Sequence, residues 1–205
     1  MDDDVSWIKT VPYEASSGRL RKLYDRVKGP DDNVDNIMMS HSLRPHTMEG
    51  HMTLYKYVLH HSANTVPTWF LEAIGVYVSR LNRCDYCVEH HFEGMRRLLG
   101  DDARATAMRA ALDGGDLGAV FDAREASALR YAEALTLRPT SVTEAMIEDM
   151  RGAGFDDGEI LEINQVTAYF AYANRTILGL GSTTEGDILG LSPSDADSPD
   201  DWSHT

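Results

Sequence analysis

Apolar residues recur with a helical period over most of this chain. Ile160, Ile163, Val166, Phe170 and Ile177 form one stripe, and Leu20, Leu23, Tyr24 and Val27 a shorter one near the start. Spacings of three and four residues place such side chains on one helix face. Strand signals, meaning period-two alternation, Val/Ile/Thr clusters and Asn-Gly turns, are nearly absent. Capping-box patterns at Asp122-x-x-Glu125, Ser141-x-x-Glu144 and Asp156-x-x-Glu159 predict three helix starts. In each, the first side chain can accept from an orphan backbone N–H while the Glu reaches back. Glycines at 152, 154 and 179 predict helix ends. A helical stretch over 36–60 is expected to break or kink at Pro45. Helices over 67–82 and 85–99 follow. The pattern predicts seven or eight helices in one all-α domain over 1–182, with an N-terminal extension over about 1–35.

Composition changes after Gly181, where Ser, Thr, Asp, Pro and Gly take over, and residues 185–205 hold six acidic residues and no Lys or Arg. Such a segment buries too little apolar area to offset its ordering entropy. A mobile acidic tail is therefore expected over 183–205, although Ile188, Leu189 and Leu191 offer apolar side chains for docking. The whole chain of 205 residues carries 33 acidic and 19 basic residues, a net charge of −14. That balance argues against nucleic-acid binding, which needs a basic footprint, and against docking on anionic lipid. No apolar run approaches the roughly 18–20 residues of a membrane span. The start, Met1-Asp2-Asp3-Asp4, has no basic n-region or apolar h-region, so a cytoplasmic location is the expectation.

Two cysteines are too few for a disulfide framework, yet Cys84 and Cys87 share a four-residue window. On a helical wheel, Cys84, Cys87, Val88, His91, Phe92, Met95, Leu98 and Leu99 fall within an arc of about 140°. Glu89, His90, Glu93, Arg96 and Arg97 take the other side. Both cysteines and His91 thus point inward, and His90 is expected to be solvated. Cys87 and His91, four residues apart, can touch. Both cysteines sit at or just before the first turn, where unpaired N–H groups favour a thiolate, the reactive form. A pair so placed can close a disulfide and store two electrons. Glu72 lies at the edge of the preceding helix's apolar stripe, about 60° from Trp69. A half-buried carboxylate needs a partner, and a thiol or imidazole would supply one.

The pattern Glu72-x11-Cys84-x2-Cys87-x3-His91, set in Val78-Ser79-Arg80-Leu81-Asn82-Arg83-Cys84-Asp85-Tyr86-Cys87-Val88-Glu89-His90-His91, resembles the AhpD-like, carboxymuconolactone-decarboxylase superfamily, its peroxidase-related branch most closely. A second match runs through Ala153-Gly154-Phe155, Glu159–Ile163, Tyr169-Phe170 and Asn174-Arg175. The resemblance covers roughly 10–181. It implies an AhpD-like all-α fold, a homo-oligomer, and a thiol-dependent hydroperoxide reductase. That enzyme takes a small hydroperoxide, uses an external dithiol reductant and needs no organic cofactor or metal. By the same likeness Cys87 attacks the peroxide, Cys84 resolves the product as a disulfide, and Glu72 with His91 relays protons. One position departs: the AhpD enzymes carry a relay histidine just before the second cysteine, and here Tyr86 stands. Tyrosine titrates near 10 and does not shuttle protons at neutral pH as imidazole does. The true lactone decarboxylases generally lack the paired cysteines, which disfavours decarboxylation.

Other readings remain beside this one. The same residues suit a non-catalytic dithiol redox sensor or assembly module, whose disulfide alters subunit packing. A Cys2His2 zinc set with His41, His46 or His51 can be drawn, but Cys84 to His91 has no Gly or Pro to turn a metal knuckle. His60 and His61, at a predicted helix end, are expected to cap its carbonyls.

Overall fold

A computed structural model describes residues 5–193, 201, 202 and 204. Among these, nine α-helices follow in order: α1 Gly18–Val27, α2 Asn36–Ser40, α3 Pro45–Leu59, α4 Thr68–Leu81, α5 Asp85–Leu99, α6 Asp102–Gly114, α7 Ala123–Leu137, α8 Glu144–Gly152 and α9 Asp157–Leu180. The described residues form no strand, only an isolated bridge between Pro193 and His204. No helix among them is long and apolar enough to cross a membrane.

Local rules account for several boundaries. Asp122 and Asp156 each accept from the N–H of the Glu three residues on at 2.8 Å, and that Glu accepts from the cap N–H at 3.0 Å. The third box does not form. Ser141 turns its hydroxyl back to the Arg138 carbonyl (2.8 Å), and α8 begins after Thr143 instead. Pro45 does divide the 36–60 stretch, as the first residue of α3. It needs no N–H there, and its fixed φ suits a helix start. α9 runs past Gly179 and stops at Gly181, which takes a left-handed φ of +63°.

α4 is the central element, buried without interruption from Phe70 to Ser79. It packs on α5, α6, α7 and α9. Its approach to α9 depends on Gly75: a Cβ there would stand 2.3 Å from the Phe170 ring. The Glu162 carboxylate of α9 accepts the Thr65 and Val66 N–H groups (3.0 and 2.8 Å), tying the entry of α4 to α9. A tight turn follows α4. Arg83 adopts φ +59°, and the Cys84 N–H reaches back to the Ser79 carbonyl at 2.9 Å, so α5 folds back on α4. The dithiol lies at this turn.

The expected tail behaves differently over its described part. Residues 183–193 lie against α2 and α5, with Asp187 buried among their polar groups. Trp202 and His204 are buried too; Arg26 stacks on the Trp202 ring at 3.6 Å, and Lys56 donates to the Asp201 carbonyl. The apolar side chains and one carboxylate find specific sites that composition does not reveal. The rest of 183–205 lies outside the described residues.

Candidate active site

α5 brings its two cysteines together at its start. Cys84 is the N-cap and Cys87 the third helical residue, both buried, with sulfurs 3.2 Å apart. At that distance a thiol on one can donate to the other. The remaining S–H stabilises the first thiolate and opposes the second, so the two thiols split around the ordinary value. Cys84 falls below it, chiefly through its hydrogen bond with Cys87 and helped by the Cys87 backbone N–H in the open first turn. Cys87 rises well above it through the same bond and through burial, against which the Asn174 side chain works as a hydrogen-bond donor. The resting charge thus favours Cys84, while Cys87 faces the cavity.

α4 supplies Glu72, 1% exposed. Burial pushes its carboxyl up, but the imidazoles of His91 and His60 more than offset this and hold it at about 2. The carboxylate is therefore ionised and can only accept. His91 Nδ1 lies 2.6 Å from Oε2, so this nitrogen carries the proton. No hydrogen bond from His91 Nε2 occurs among the described residues, leaving that nitrogen for a bound molecule. Such a carboxylate–imidazole pair fixes both ring orientation and tautomer. Phe170 packs edge-on against the His91 ring at 4.5 Å.

His60, expected only to cap its helix, instead stands buried with Nε2 3.3 Å from Glu72 Oε1 and 3.1 Å from the Tyr55 hydroxyl. Asn174 of α9 was legible only as part of the second match. It is fully buried, donates to Ser79 Oγ (3.0 Å) and accepts from Asn82 (2.9 Å). A buried amide in a long apolar helix was the signal available for it.

Two further outcomes concern neighbouring residues. His90 is buried rather than solvated, because residues 183–193 cover that side of α5 and set Asp187 Oδ2 3.1 Å from its Nε2. Tyr86 stacks on the His90 ring at 4.5 Å and donates to Asp187 Oδ2 at 2.7 Å. Of the histidines weighed for zinc, His41 and His51 have rings 5.1 Å apart and His46 is exposed. No group of three or more His, Cys, Asp or Glu among the described residues is placed to hold a metal ion.

Cys87, Glu72 and His91 line a cavity of about 40 Å³, together with Tyr55, Tyr169, His51 and Leu191. The arrangement places one sulfur and a carboxylate–imidazole pair on one small space, with a second sulfur 3.2 Å from the first.

No family model and no curated protein matches the sequence. Solved structures match its shape. A peroxidase-related protein from Ralstonia eutropha JMP134, described as an alkylhydroperoxidase AhpD core, superposes with a TM-score of 0.78 at 22% identity, over 89% of this chain and 94% of that one. A peroxidase-related protein from Silicibacter sp. TM1040 gives 0.73 at 23% identity, over 90% and 91%. The debrominase Bmp8 gives 0.69 at 17% identity, over 91% and 94%. The chain therefore has the AhpD-like fold, a fold that also serves a debrominase.

Proposed function

We propose that the protein is a thiol-dependent hydroperoxide reductase. The observation that carries this reading is Cys87, its sulfur 3.2 Å from that of Cys84, lining one cavity with the Glu72–His91 pair. Cys84 thiolate takes the proton of Cys87, across the hydrogen bond they already share. Cys87 thiolate then attacks the terminal oxygen of the hydroperoxide. The O–O bond breaks, Cys87 becomes a sulfenic acid, and the leaving alkoxide takes a proton that His91 Nε2 accepts from solvent and passes on, while Glu72 holds the Nδ1–H. Cys84 next attacks the Cys87 sulfur, forming the disulfide and releasing water. One thiol, one thiolate, one proton from solvent and one hydroperoxide thus become one disulfide, one alcohol and one water. An external dithiol returns the pair to the reduced state. The roles are Cys87 as attacking thiol, Cys84 as base and resolving thiol, and Glu72 with His91 as relay. A homo-oligomer belongs to the same reading.

Stopped-flow oxidation of the reduced protein, followed by intact mass and thiol counting, tests it. The expected result is loss of both thiols with a mass drop of about two hydrogens. Cys87→Ser should abolish the reaction, and Cys84→Ser should leave a trappable sulfenic acid at Cys87. Wild-type turnover by Cys87→Ser refutes the assignment. A single oxidation that changes subunit number, with no cycling by any dithiol, would instead mark a redox sensor.

A further inference from the structure

We propose that the segment Asp187–Ser192 is the roof of the Cys87 cavity and sets substrate size, restricting the site to hydrogen peroxide and the smallest alkyl hydroperoxides; this rests on the hydroperoxide reading above. The cavity, at about 40 Å³, has room for about three waters, each needing roughly 10–15 Å³. Cys87 and the Glu72–His91 pair line it on one side, and Gly190, Leu191 and Ser192 close another.

Three ties hold the roof down. The Asp187 side chain is 1% exposed and accepts from the Asn36 N–H (3.0 and 3.2 Å) and the Tyr86 hydroxyl (2.7 Å), with His90 Nε2 at 3.1 Å. One carboxylate thereby joins α2 and α5 to the segment, and its burial is tolerable because each of these groups meets it. Arg97 donates to the Leu189 carbonyl at 2.9 Å. Gly190, at φ +76°, lies so close to α5 that an added Cβ would stand 2.6 Å from Glu93 Cγ. Leu191 then fills the space between the cavity and Gly29, where a Cβ would meet its Cδ1 at 2.7 Å. A bulky organic group on the peroxide has to displace Leu191. Tyr86 is part of this latch, which accounts for a tyrosine where the resembled enzymes carry a relay histidine.

Two variants test the roof. Leu191→Ala opens space and keeps the latch; Asp187→Ala cuts the latch. Each, once its helicity matches wild type, meets hydrogen peroxide and cumene hydroperoxide. Each separately meets iodoacetamide and N-(1-pyrenyl)maleimide, with thiols counted over time. The bulky-to-small rate ratio should rise by about tenfold or more in Leu191→Ala, since a single methylene in a tight pocket already discriminates by that much. Asp187→Ala should raise it as well. Unchanged ratios in Leu191→Ala for both reagent pairs overturn the roof, whether or not Asp187→Ala folds. If no hydroperoxide oxidises any form while the maleimide ratio rises, the roof stands as the gate to Cys87 and the hydroperoxide reading falls.

Discussion

Replacing Glu72 by Gln keeps the shape of the side chain and removes its charge. In the folded protein the carboxyl titrates at about 2, against 4.5 for the free group, because His91 and His60 outweigh its burial. A carboxyl depressed in the folded state stabilises above its unfolded value and loses that contribution as pH falls toward the folded value. The full contribution is about 3 kcal/mol at about 1.4 kcal/mol per pH unit. Urea unfolding of wild type and Glu72→Gln should therefore differ at about pH 5, with the Glu72 carboxylate fully ionised. The difference should then shrink by about 1.4 kcal/mol by pH 3.5. Titrating groups that do not touch Glu72 occur in both proteins and cancel in the difference, so the fall below pH 5 is what reads the Glu72 carboxyl. A difference that stays flat from pH 5 to 3.5, with equal m-values, refutes the idea that Glu72 is a buried, paired carboxylate. The same variant should oxidise about 100-fold or more slowly if Glu72 serves the relay.

Asn174→Leu removes a donor to Cys87 and orphans Ser79 Oγ. The pH–rate profile for thiol alkylation should move to higher pH, and stability should fall by about 1–3 kcal/mol, as for a buried group losing its partner. His51 is held down to about 3, mainly by burial, and its Nδ1 has no hydrogen-bond partner among the described residues. A histidine depressed in the folded state loses stability as pH falls below about 6.5. His51→Leu should therefore lower the acid-side slope of unfolding free energy by about 1.4 kcal/mol per pH unit between pH 6 and 4. An unaltered slope would show that His51 titrates normally. Gly75→Ala drives a methyl group into the Phe170 ring. It should cost about 1–3 kcal/mol by overpacking, read as a lower urea midpoint at constant m.

What could be read from the chain alone was whatever is decided within one or two helical turns. The 85–99 helix, the caps at Asp122 and Asp156, the break at Pro45 and the inward placing of Cys84, Cys87 and His91 depend on spacing and on backbone groups three or four residues away. Glu72 was legible as an edge-of-stripe carboxylate needing a partner, and the structure supplies His91 at 2.6 Å. Ser141 shows the limit of such rules: its box was present, but the chain preceding α8 takes a short 3-10 turn that claims the hydroxyl.

The remainder was decided by contacts between residues far apart in the chain. His60 meets Glu72 only because α3 packs beside α4. Asn174 meets the dithiol only because Gly75 lets α9 lie close to α4. Asp187 buries His90 from 97 residues away. A composition that argues for mobility describes a segment's average cost of ordering. It carries no information about the one carboxylate, one leucine and one glycine for which the folded body has made places.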